Sequence, residues 1–143
     1  MSYFRMKHSR GLAAIEFLAA VPALLLLLVG MSETGNALVL YNTMNKMVQN
    51  GIRYATTDIQ GTATYDTIAD EGEIKNLVVY GNIGGSGSSK IDGVTTNDVT
   101  VTHSGGYVTI TIAHTYTPLF VNLPNSSSFS VPLSASAVMR TAP

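Results

Sequence analysis

The 143-residue chain contains no cysteine and no tryptophan, and only 12% of its residues are charged. Without cysteine, disulfides, thiolate-bound zinc and thiol catalysis are all excluded. The compartment stays open, because oxidising spaces permit disulfides without requiring them. Soluble domains usually carry about 25% charged residues. The shortfall, set against 45% hydrophobic residues, points to a membrane segment and away from disorder. Eight Lys and Arg nearly balance nine Asp and Glu, which argues against a basic nucleic-acid binder. The length suits one ordinary domain and leaves no room for two enzyme-sized lobes.

The near-neutral total conceals an uneven distribution. Arg5, Lys7 and Arg10 give residues 1–11 a charge of +3 with no acid. In residues 12–57, Lys46 and Arg53 balance Glu16 and Glu33. Residues 58–143 carry −4, with three basic side chains against seven acidic ones. Between the basic head and the acidic body lies Leu12 to Met31, twenty residues whose only charge is Glu16. A helix of that length rises roughly 30 Å, enough to cross the hydrocarbon core of a bilayer. A buried helix of a soluble domain would show a polar face, and LAAVPALLLLLVG shows none. Basic residues precede the span and none follows until Lys46. The positive-inside bias therefore predicts a cytoplasmic N-terminus and a C-terminal body beyond the membrane.

After Met31 the pattern turns amphipathic. Tyr41, Met44, Val48, Ile52 and Ala55 share one helical face, and Asn42, Lys46, Gln49 and Arg53 the other. One helix from near Leu12 to near Thr57 is predicted, bent at Pro22 inside the span. Gly35 and Gly51 would each weaken it by about 1 kcal/mol relative to Ala. From Thr56 the composition shifts to Thr, Ser, Gly and Asp, marking the start of a head. Residues 67–80 suit a short helix, with Ile74, Leu77 and Val78 at helical spacing, although LVVY also suits a strand. Gly81 to Lys90, GNIGGSGSSK, reads as a flexible connector. It lacks the Gly-Lys-Ser/Thr ending and the strand-loop-helix context of a phosphate loop.

The clearest strand signal is a hairpin. Val99 and Val101 alternate with threonines, Ser104-Gly105-Gly106 turns, and Val108, Ile110 and Ile112 alternate with Thr109 and Thr111. A third run places Phe129, Val131, Leu133, Ala135 and Ala137 opposite Ser130, Pro132, Ser134 and Ser136. Pro132 lacks an amide donor, so this strand is expected at a sheet edge or to begin near there. The predicted fold class is α+β: a long N-terminal transmembrane helix extending into a stalk, packed against a small antiparallel β-sheet head. The amphipathic half of the helix is the expected cover for the sheet.

Candidate chemistry is sparse. His114 shares the apolar face of the hairpin, and His103 sits beside the turn, where a solvated position is expected. Neither has the second histidine or acid cluster that a metal set needs, so no metal and no cofactor is expected. No Gly-x-Ser-x-Gly elbow is present, and Asp70, Glu71 and Glu73 lack the calcium-loop pattern. No constellation is catalytic, and the chain is not expected to be an enzyme.

Glu16 resists so plain an account. A carboxylate in a span costs about 2.5 to 3.5 kcal/mol at the helix centre on insertion scales, so such residues are functional candidates. It ends the run Arg10-Gly11-Leu12-Ala13-Ala14-Ile15-Glu16-Phe17. This run resembles the prepilin peptidase recognition sequence of type IV pilins and pseudopilins, in which cleavage follows the glycine and the glutamate is the fifth mature residue. Further resemblance lies in Pro22, the leucine run, Asn50-Gly51-Ile52-Arg53-Tyr54-Ala55, Tyr116-Thr117-Pro118-Leu119-Phe120, and Leu133-Ser134-Ala135-Ser136-Ala137-Val138-Met139-Arg140. Together these blocks are similar to TadE-like pseudopilins of the tight-adherence (Flp) pilus machinery, whose TadF siblings share the same plan. Asn50 and Ile52 depart from the family, which more often has charged or small residues around that glycine.

The resemblance implies processing at Gly11, Leu12, Glu16 and Phe17, with Glu16 and Pro22 serving assembly. Cleavage would leave a positive amine at Leu12 about 6 Å along the helix from Glu16. That amine, or one on a neighbouring subunit, could partner the glutamate. The implied organisation is a prepilin leader (1–11), a transmembrane helix (12–31), an amphipathic helical stalk (32–57) and an extracytoplasmic α+β head (58–143). The implied partners are the prepilin peptidase, the major Flp pilin, sibling pseudopilins and the inner-membrane assembly platform, with no nucleic acid. The implied location is the bacterial inner membrane, single-pass, with a periplasmic or extracellular head. A competing reading is an ordinary secretory signal ending at Gly35-Asn36-Ala37, which would leave a secreted binding module from Leu38.

Overall fold

A computed structural model of the chain describes residues 9–57, 67–118 and 130–141, with side chains from Gly11 onward. The chain divides into two compact units between Asn36 and Ala37. Residues 1–8, 58–66, 119–129 and 142–143 lie outside the described residues, and with them Leu119, Phe120 and the start expected for the third strand.

The first unit is helical. Helix α1, Ser9–Thr57, begins in it and continues unbroken into the second unit. Pro22 lies inside α1 without ending it. Its ring nitrogen has no hydrogen to donate to the Leu18 carbonyl, a loss that membrane helices tolerate. Leu12, Ile15, Phe17, Leu18 and Leu24 to Leu28 are all between 56% and 71% exposed. Apolar side chains facing outward around the whole helix are stable only in an apolar solvent or against other apolar helices. α1 is long and apolar enough to cross a membrane, and none of its most apolar window is buried inside the chain.

The second unit is α+β. Helix α2, Glu71–Tyr80, settles the ambiguous LVVY segment as helix. Its start is fixed by Asp70, whose Oδ1 accepts from the Gly72 and Glu73 amides at 2.9 and 3.1 Å. Its end is fixed by Gly81 at φ 78°, whose N–H donates to the Leu77 carbonyl. Capping of this kind satisfies the free donors and acceptors of a short helix, and the N-cap alone contributes about 1 kcal/mol. Glu71 and Lys75 form an i,i+4 ion pair at 2.7 Å in the favourable order.

Strands β1 (Val99–Ser104), β2 (Tyr107–Tyr116) and β3 (Val131–Arg140) form one antiparallel sheet in the order β1-β2-β3. The two-residue turn between β1 and β2 has Gly105 at φ 61° and Gly106 at φ 77°. Two left-handed residues match the twist of a tight hairpin, and glycine takes that conformation without strain. Among the described residues β3 lies at a sheet edge and begins at Val131, one residue before Pro132, so both positions open to that proline are met.

The register stacks Val99, Ile112 and Ala135 in one row and Val101, Ile110 and Ala137 in the next. These side chains face the core, which Met44, Met47, Val48, Ile52 and Ala55 of α1 and Ile74, Val78 and Val79 of α2 complete. The expected stripe on α1 is therefore the cover of the sheet, with one difference. Tyr41 is 41% exposed, and Leu40 beside it is the partly buried residue that packs against the core one turn before the fully buried Met44. Met47, one position before Val48, is buried as well and widens the stripe.

The connector from Gly81 to Lys90 is more structured than a flexible linker. The Asn82 side chain accepts from the Ser86 amide at 3.1 Å and donates to the Ser86 carbonyl at 2.7 Å. Asn76 donates to the Ile83 carbonyl at 3.0 Å, and the Lys90 amide donates to the Val79 carbonyl at 2.9 Å.

Candidate assembly helix and its signature

Gly11, Leu12, Glu16, Phe17 and Pro22 all lie on the first three to four turns of α1. A hypothetical Cβ at Gly11 would meet nothing within 4 Å, so no tertiary packing calls for glycine at this position. What glycine contributes is a weak point, since it favours the helix less than Ala by about 1 kcal/mol.

Leu12 is 70% exposed and Phe17 67% exposed, flanking Glu16 one turn before and one residue after. On a helix, the neighbours of Glu16 are Leu12, Ala13, Ala19 and Ala20, three and four residues away, and all are apolar. Its carboxylate has no hydrogen bond or ion pair among the described residues. Among the described residues, Glu16 thus stands on an apolar exterior with no cationic partner. An amine at residue 12 would stand one helical turn away.

The described residues of the second unit carry contacts that position its elements. The Tyr54 hydroxyl donates to Glu73 Oε2 at 2.7 Å, tying α1 to α2, and the Ala69 amide donates to the Ala55 carbonyl at 3.3 Å. The Thr56 hydroxyl lies 3.0 Å from the Met139 sulfur, tying α1 to β3. His114 stays on the core-facing side of β2, partly buried beside Gly93 and a shallow depression lined by Asp98, Ala113, Thr115 and Pro132. Asp98 is already engaged there, accepting from the Thr95 amide at 2.8 Å and the Thr95 hydroxyl at 2.9 Å.

His103 corrects the expectation of a solvated turn residue. It lies within β1 opposite Val108, on the core-facing side, with Nε2 3.4 Å from the hydroxyl of the buried Thr141. Alternation from Val99 places it there, and the nearby turn had obscured that parity. Among the described residues, no group of three or more His, Cys, Asp or Glu could hold a metal ion.

These features define a protein with one N-terminal helix fit to span a membrane and a small α+β unit behind it. Residues 11–53 match the family model described as TadE-like protein, just under a third of the chain. That segment is TadE-like, consistent with a Tad pilus-associated protein. No curated protein and no solved structure matches the chain.

Proposed function

We propose that this chain is a minor pseudopilin that supports assembly or priming of a Flp-type adhesion pilus after a prepilin peptidase cuts between Gly11 and Leu12. The observation that carries the reading is a coincidence on α1. The TadE-like match starts at the glycine, and on the same helix Glu16 has no partner among the described residues and stands among exposed apolar side chains. A spanning helix used only as an anchor has no need of a carboxylate that costs energy to insert. A helix that docks among other helices in the membrane can use it as a register mark, paired with the amine that cleavage creates.

In this reading the protein sits in the bacterial inner membrane with the basic leader cytoplasmic and the acidic head outside. Its partners are the peptidase, the major Flp pilin, sibling pseudopilins and the inner-membrane platform. It is a structural component and catalyses no reaction.

The test is Glu16→Ala in a cell that builds the pilus. The variant is expected to accumulate in the membrane at normal levels while piliation falls at least tenfold. Normal piliation in that variant would remove the assembly role of Glu16.

A further inference from the structure

The sheet has two edges, and they are not equivalent. Helix α2 packs beside β1, whereas among the described residues no helix or strand lies along the outer edge of β3. β3 pairs residue for residue with β2 over all ten positions, with no bulge. Natural sheets blunt such an edge with charge, proline, a bulge or a short strand. Here Val131 to Met139 carries no charge, and the only such devices are Pro132 near one end and Arg140 at the other. Among the described residues, nothing pairs with the outer edge of β3 from Leu133 to Met139.

We propose that this edge pairs antiparallel with β3 of a second copy of the chain, joining two three-stranded sheets into one of six strands. Self-complementarity selects this occupant. Centred on Ser136, the antiparallel pairing sets Pro132 opposite Arg140, Leu133 opposite Met139, Ser134 opposite Val138 and Ala135 opposite Ala137. The two arginines stand at opposite ends, whereas a parallel pairing would place them side by side.

On the core-facing side, the partly buried Leu133 meets Met139, which is 37% exposed, so the apolar core continues across the seam. On the outer face, Val138, 61% exposed, gains a neighbour in Ser134. The small Ala135-Ser136-Ala137 centre lets the backbones reach the usual strand spacing of about 4.8 Å without crowding. A strand of foreign sequence finds no charge pattern along this edge to read.

The seam is small beside the roughly 800 Å² per partner of a stable complex. It therefore acts where copies are already concentrated, as on one membrane. The inference does not depend on the pilus reading.

The chain has no cysteine, so Ser136→Cys supplies a unique thiol at the centre of the seam. Directly opposed residues lie about 4.5 to 5.5 Å apart at Cα, within disulfide reach. Full-length protein in membranes is oxidised with copper phenanthroline and run without reductant. A dimer is expected from Ser136→Cys and none from Thr100→Cys, which has the same outward orientation on β1.

Adding Ser134→Lys and Val138→Lys opposes lysine to lysine and is expected to cut the dimer at least fivefold. Ser134→Glu with Val138→Lys opposes unlike charges and should retain it. Both positions are exposed, so folding is not at stake. No dimer from Ser136→Cys, equal dimer from Thr100→Cys, indifference to the paired lysines, or an adduct with a different protein would each overturn the proposal.

Discussion

Gly51 shows how far a residue's meaning depends on what packs against it. By propensity alone it is a weak point, and replacing it with Ala should strengthen α1 by about 1 kcal/mol. Yet a Cβ there would overlap the Val78 Cγ2 methyl and stand 3.3 Å from Ile110 Cδ1, both in the core. The absent side chain lets α1 approach α2 and the sheet, and overpacking such a site costs about 1 to 3 kcal/mol. Gly51→Ala is therefore expected to destabilise the second unit by up to about 2 kcal/mol once the propensity gain is subtracted, and so to lower its thermal midpoint.

Gly35→Ala is the control, since a Cβ at Gly35 meets nothing within 4 Å and should stabilise the helix. Circular-dichroism melting of the full chain in detergent reads both variants, and a stabilised Gly51→Ala would show that the close approach does not matter. The amphipathic stripe put Gly51 near the packed face, but the close approach itself depends on Val78 and Ile110, which local spacing does not reveal. The hydroxyl of Tyr54 was equally silent, since its partner Glu73 is nineteen residues away on another helix.

At the scale of elements, what could be read from the sequence was what repeats. The period of 3.6 located α1 and its buried stripe, and the period of two located all three strands and their inward faces. Loop structure followed rules that pattern does not reveal. The Gly81 to Lys90 connector holds its shape through two asparagine side chains that bond to backbone several residues away. Such bonds have no periodic signature.

The hairpin turn lies between these cases, because its glycine pair was legible and its geometry follows from twist. With both residues left-handed and no side-chain obstacle near either, the cost of substitution is purely one of backbone. Gly105→Asn should change stability by less than about 0.5 kcal/mol, whereas Gly105→Val should cost about 1 to 3 kcal/mol. Chemical denaturation compares the two, and equal losses would argue against a two-residue turn of this type.

For the whole molecule, the charge sum of −1 resolves into parts with separate duties. If the first eleven residues are removed, the +3 leaves with them. The remaining chain then has five basic against nine acidic residues, a charge of −4. The candidate site was more legible than its consequences. Gly11, Glu16 and Phe17 stand out because a charge and a glycine interrupt an apolar run, while the partner proposed for Glu16 would belong to a processed or assembled state. Continuity of α1 through Ala37 and Leu38 bears on the secretory alternative, in which a cut after Ala37 would sever one helix seven residues before the first fully buried core residue, Met44.

Mass spectrometry of the N-terminus of the membrane-borne protein, taken from a cell with an active prepilin peptidase, is the most direct test. A chain beginning at Leu12 is the expected result. A chain beginning at Leu38, or one retaining the basic leader, would contradict the account.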